Sequence, residues 1–273
     1  MKKQHIGAPL ALLLCICLLA SCAPISIPTF GDWETSTETT QPPETPPDEM
    51  TEMTEPPETE PPTPKKRVAI TFDDGPSRQG LTEKLVDEFA KYGGKATFFV
   101  LGNLISTSTG ESLAYADAHG CEIAIHGYTH EIYYDTCSYQ DFQNELELTK
   151  QAIEKYVSSP VTLLRPPGGR ITDSRATASG YPIVLWSVDS EDWRYKSRAD
   201  DATIRTNIHK IASNVIDNAE DGDIILMHEI YTNSYEATCL ILAELHAKGF
   251  EFVTATELIG EENLNAGETI YRK

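Results

Sequence analysis

Asp73 and Asp74 stand side by side in Thr71-Phe72-Asp73-Asp74-Gly75-Pro76-Ser77, and His126 and His130 stand four apart in His126-Gly127-Tyr128-Thr129-His130. On a helical turn two imidazoles at that spacing share a face and can grip one metal ion. Asp74 would complete a set of two histidines and one carboxylate, leaving open positions for water and substrate. The adjacent acids point to opposite faces of a strand unless the turn redirects one, so they are expected to differ in role. Arg165-Pro166-Pro167-Gly168-Gly169 joins a fixed cation to glycines whose backbone a ligand can approach closely. Asp189-Ser190-Glu191-Asp192-Trp193 and Leu226-Met227-His228 add carboxylates, an indole and a third imidazole. Each has a plainer reading: a solvated turn, a surface arginine, an acidic loop, a core histidine.

The elements around these residues weigh against the plainer readings. From residue 65 onward, short apolar runs at 68–72, 96–100, 121–125, 162–164, 183–188, 224–227 and 251–253 read as strands. Helix-spaced stretches fall near 81–91, 111–119, 138–157, 172–179, 201–218 and 235–248, with Ile204, Ile208, Ile211 and Val215 on one face. Gly180 and Gly249 follow two of the helical runs as stops. This alternation predicts an α/β fold with a parallel sheet, open or closed as a barrel. In such folds ligands bind at the C-terminal ends of the strands. Asp73, His126, Arg165, Asp189 and His228 each follow or end a predicted strand, which puts them on one rim.

Taken in order, T-F-D-D-G-P, H-x-x-x-H, R-P-P-G, D-x-x-D-W and L-x-H resemble the motifs of the polysaccharide deacetylase (NodB homology) domain, carbohydrate esterase family 4, over roughly residues 65–255. The resemblance implies a distorted (β/α) barrel, a divalent metal (zinc, with cobalt or nickel as alternatives) and removal of acetyl groups from an N-acetylated polysaccharide. It implies that Asp74, His126 and His130 bind the metal and that Asp73 is the general base. Arg165 would pair with and orient Asp73. His228 would be the general acid, supported by Asp192. The backbone N–H of Gly168 would hold the oxyanion, and Trp193 and Leu226 would line the acetyl pocket. Two positions depart from the family: Gly168 stands where many relatives carry Tyr or another large residue, leaving a groove wall missing, and Gly127 stands where Ser is frequent. Neither removes a ligand, acid or base, so an active enzyme is expected, acting on N-acetylglucosamine of a cell-envelope polymer such as peptidoglycan. An O-acetyl esterase and a non-catalytic glycan-binding lipoprotein are the alternatives.

The chain has 273 residues and a net charge of −20, and the acids are unevenly placed. Residues 65–273 carry 20 bases and 32 acids, a balance that argues against nucleic acid as a partner. Residues 1–22 read as a signal peptide. Lys2 and Lys3 precede an apolar run at 10–20, which as a helix would rise only about 16 Å, too short for a roughly 30 Å hydrocarbon core. Leu19-Ala20-Ser21-Cys22 resembles the lipobox of bacterial lipoproteins, in which Cys22 would take the lipid. Residues 23–64 hold 11 prolines and ten threonines and read as a stiff, disordered linker reaching on the order of 130 Å. The third segment, 65–273, is then one catalytic domain, expected to be a monomer exported and tethered to the outer face of the cell membrane. Cys121, Cys137 and Cys239 allow one disulfide and a thiol or three thiols, with plain burial expected for Cys121.

Overall fold

The computed structural model describes residues 65–195 and 201–273, so the segments read as a signal peptide ending at Cys22 and as a linker at 23–64 lie outside the described residues. Eight strands and seven helices are described: β1 (Lys66–Gly75), α1 (Leu81–Ala90), β2 (Thr97–Leu101), α2 (Thr107–Ala118), β3 (Glu122–Gly127), α3 (Tyr139–Ile153), α4 (Asp173–Ser179), β4 (Ile183–Val184), β5 (Val188–Asp189), α5 (Asp201–Ile216), β6 (Ile224–His228), α6 (Thr232–Ala247), β7 (Phe250–Phe252), α7 (Ala255–Ile259) and β8 (Thr269–Ile270). The main sheet runs β3-β2-β1-β6-β5, all parallel, and β7 pairs with the start of β1. Past β3 the hydrogen bonding continues through one residue, Leu164, which bridges Ile125 on one side and Ile183 on the other. The ring then returns to its start through residues 183–189. There the Val184 N–H donates to the Leu164 carbonyl and the Ser187 N–H to the carbonyl of Ile224 in β6. The result is the expected distorted barrel, closed along a seam where a single segment changes partners.

Two predicted strands differ for this reason. Residues 162–164 form an isolated bridge, because Pro160, Pro166 and Pro167 deny the segment the N–H groups a longer ladder needs. Residues 183–188 break into β4 and β5, since the chain leaves β8 to reach β6 between them. The pair β4–β8 was not anticipated, two residues being too short to show a period.

Alternation along the strands sorts the side chains into two layers. Val68, Ile70, Phe72, Phe98, Val100, Ile123 and Ile125 face outward, where they pack with Leu85 and Phe89 of α1, Phe142 and Leu146 of α3 and Ile241 and Leu245 of α6. Ala69, Phe99, Ala124, Leu163, Val184 and Ile224 form a second, inner cluster with Ala255, Leu258 and Ile259 of α7. Helix α7, fixed by a capping box between Thr254 and Glu257, thus fills the interior at its lower end. Continuing the inner layer in steps of two from Ala69, Ala124, Leu163 and Ile224 leads to Asp73, His126, Arg165 and His228. Cys121, Cys137 and Cys239 are unpaired thiols, and Cys121 is buried as expected. None of the described helices is long and apolar enough to cross a membrane.

Candidate metal centre and active site

Register alone brings two of the candidates together: Asp73 of β1 lies directly opposite His228 of β6. Asp74 should by alternation point the other way. Instead it sits at φ 68, in the left-handed region, where the β1–β2 register also slips between Phe72 and Gly75. That turn returns its carboxylate to the inner side. Oδ1 of Asp74 lies 3.4 Å from Nε2 of His126 and 3.5 Å from Nε2 of His130. The two histidines do not lie on a helical turn, as their spacing suggested. His126 is the penultimate residue of strand β3, the chain bends at Gly127 (φ 126), and His130 at φ 62 brings its ring back to 5.2 Å from that of His126.

The three side chains fit a divalent cation. Asp74, His126 and His130 offer ligand atoms within 4.8 Å of one another, and Asp74 Oδ1 is buried with no hydrogen-bond partner. Nδ1 of His126 is 2.8 Å from the Arg165 carbonyl, which fixes the ring and leaves Nε2 as the donor atom. Burial alone would raise the Asp74 carboxyl, but the close imidazole of His126, with those of His228 and His130, holds it well below the usual carboxylate range. Burial lowers His130, favouring the neutral imidazole a metal needs.

Arg165 is no surface arginine: it is fully buried, with its guanidinium 4.1 Å from the Phe99 ring centroid. Nη1 donates to Asp73 Oδ1 at 2.8 Å and to the Thr71 hydroxyl at 2.7 Å. Nε and Nη2 donate to the carbonyls of Val184 and Leu185, both at 2.9 Å, in the seam where the barrel segment changes partners. Removing the arginine would leave Asp73 a buried unpaired charge, a cost of about 3–5 kcal/mol.

Asp192, in the turn after β5, holds His228 twice. Its Oδ1 is 2.7 Å from Nδ1 of the ring, and its Oδ2 accepts from the His228 backbone N–H (2.8 Å) and the Ser234 hydroxyl (2.6 Å). Burial opposes charging of His228. The bond and charge of Asp192, with the charges of Asp73 and Asp74, outweigh it and lift the imidazole to about 9.

All these groups open on one cleft of about 340 Å³, lined by Asp73, Asp74, His126, His130, His228, Gly168, Trp193 and Leu226, together with Trp186, Asp189 and Tyr231. Every candidate that should face substrate is therefore here, while Arg165 and Asp192 stand behind them. A Cβ on Gly168 would sit 3.4 Å from Cε1 of Tyr133, so the ring of Tyr133 stands beside the space expected to be vacant. Trp186, Tyr231, Thr71 and Ser234 were missed by sequence reasoning. The first two have no spacing signal, and the other two act only through Arg165 and Asp192.

A profile described as polysaccharide deacetylase matches residues 60–183. A peptidoglycan-N-acetylglucosamine deacetylase of Listeria monocytogenes is 34% identical over 208 residues, covering 76% of this chain but 42% of that protein, so the chain spans less than half of it. A peptidoglycan-N-acetylglucosamine deacetylase of Bacillus cereus is 34% identical over 206 residues, covering 72% of this chain and 90% of that protein. The structure of a family 4 acetyl xylan esterase from Clostridium thermocellum, in complex with a cobalt ion, superposes with a TM-score of 0.66 at 27% identity, covering 76% of this chain and 98% of that one. With the barrel and the clustered motif residues already in place, these likenesses show that the chain belongs to the polysaccharide deacetylase family.

Proposed function

We propose that this chain is a metal-dependent hydrolase that removes N-acetyl groups from N-acetylglucosamine residues of a cell-envelope polysaccharide, with peptidoglycan as the polymer. The observation that carries the reading is the placement of a three-residue cation site between a buried carboxylate and a charged imidazole in one cleft. A divalent ion held by Asp74, His126 and His130, zinc by preference and cobalt or nickel as alternatives, supplies Lewis acidity toward the acetyl oxygen and acidifies water. Asp73 takes a proton from the attacking water, and Arg165 keeps its carboxylate aimed at the cleft. His228, charged at neutral pH, gives its proton to the departing sugar nitrogen as the C–N bond breaks, leaving acetate and a free amine. The backbone N–H of Gly168 contributes to holding the oxyanion, and Trp193 and Leu226 enclose the acetyl methyl.

Acetate release from N-acetylglucosamine oligomers, peptidoglycan and acetylxylan, with chelator and then with zinc or cobalt restored, tests this. Metal-restored release from the N-acetyl substrates is expected; release from acetylxylan alone would replace the reading. The likeness to an acetyl xylan esterase favours O-deacetylation as the second reading. An alkoxide leaves more readily than an amide anion, so His228→Ala should depress amide hydrolysis more than ester hydrolysis. Equal losses on both substrates would count against that role for His228.

The Leu19-Ala20-Ser21-Cys22 sequence supports export and lipidation at Cys22 as part of this proposal. They would set the domain on a stalk at the outer face of the membrane, directed toward the cell wall.

A further inference from the structure

Two ligand-bearing turns shape the metal site, and each holds its ligand in a conformation that L side chains rarely adopt: Asp74 at φ 68 and His130 at φ 62. Such residues are strained and persist only where the surroundings fix them. Behind each turn stands a buried glutamate that belongs to no motif. Glu145 is 4% exposed on the inward face of α3, between Phe142, Leu146 and Thr149. Its Oε2 accepts from the backbone N–H groups of Tyr128 (2.6 Å) and Thr129 (3.1 Å), and its Oε1 from the Thr129 hydroxyl (3.1 Å). These are the residues that carry the chain from His126 to His130. Glu229 is 1% exposed where β6 ends. Its Oε2 accepts the hydroxyl of Thr82 in α1, and the Thr82 oxygen in turn accepts the backbone N–H of Ser77 (3.2 Å), three residues beyond Asp74. Its carboxyl fills the space over Gly75, where a Cβ would come within 1.5 Å of Oε1. A buried carboxyl in an apolar layer is costly, and here its hydrogen bonds go to the metal-site turns.

We propose that Glu145 and Glu229 are positioning residues for the metal site, each bracing one of the two turns so that Asp74 and His130 meet His126 in ligand geometry before an ion arrives. The inference rests on the reading of Asp74, His126 and His130 as metal ligands. Neither glutamate touches the ion or the substrate; Glu145 acts through hydrogen bonds to the backbone and threonine of its turn, and Glu229 through Thr82, which holds the Ser77 N–H. Preorganised supporting groups of this kind are worth about 10- to 100-fold in metal affinity.

The test uses zinc as the probe, on metal-free protein, with affinity read by competition against a chromophoric chelator and melting temperature read without metal. Glu145→Ala and Glu229→Ala should each weaken zinc binding about tenfold or more. Thr129→Val and Thr82→Val, which each remove one hydroxyl partner, should give a smaller loss in the same direction and decide the matter if the alanine variants do not fold. Glu122→Ala is the control. Its carboxylate serves Thr97 and Thr256 at the other end of β3, so it should lower the melting temperature and leave zinc affinity unchanged. Variants that bind zinc as tightly as the parent, or a control that weakens it equally, would overturn the proposal alone. A parent protein that takes up no zinc would overturn the metal reading and this inference with it.

Discussion

His228 can act as an acid only while it holds its proton, so the group that sets its pKa also sets the alkaline edge of activity. The lift to about 9 comes from Asp192 and the cleft carboxylates against the opposing effect of burial. Asp192→Asn removes the charge but leaves an oxygen for the backbone N–H, so the imidazole should fall back toward its ordinary range of about 6.5. A general acid is active below its pKa and spent above it. The alkaline limb of the kcat profile should therefore move to lower pH, and a limb that stays in place would remove Asp192 from this role. Motif order picked out Asp73, Asp74, His126, His130, Arg165, Asp192 and His228 as candidates. What could not be read was how Asp74 turns inward, because a positive φ at a non-glycine residue follows from the register slip between β1 and β2 and from the turn beyond it. The same limit hid Glu145 and Glu229, whose partners lie 16 and 147 residues away in sequence.

At the scale of elements, strands β1, β2, β3 and β6 were readable because each is buried on both faces and shows as a largely apolar run. Helix α6 begins at Thr232, three residues before its predicted start, since polar Thr232, Asn233 and Ser234 hide the first turn. The bend after β3 was misread as helical for a related reason: spacing of four fits a helix and also fits a strand end folded back on itself. Gly127 at that bend stands where serine is frequent in the family, and the structure supplies the reason. Its φ is 126, and a Cβ there would sit 2.9 Å from the Tyr134 hydroxyl and 3.2 Å from Glu145 Oε2. Gly127→Ser should therefore cost about 1–3 kcal/mol in urea denaturation and weaken zinc binding. A serine variant as stable as the parent would mean the bend tolerates a side chain.

For the whole molecule, the proposed lipid anchor and linker bear on where the cleft works rather than on how. Deleting residues 30–60 should leave acetate release from isolated peptidoglycan unchanged and reduce it on intact cells; equal activity in both settings would deny the linker a role in reach. The barrel itself has a dependence of another kind. At its seam the carbonyls of Val184 and Leu185 are hydrogen-bonded by the guanidinium of Arg165. Buried carbonyls need such partners whether or not any acetyl group is ever cut. A descendant that lost Asp73, and the reaction with it, would still be held to its arginine by the architecture. An arginine surviving at this position is thus poor testimony to activity, and the aspartate beside it is the better witness.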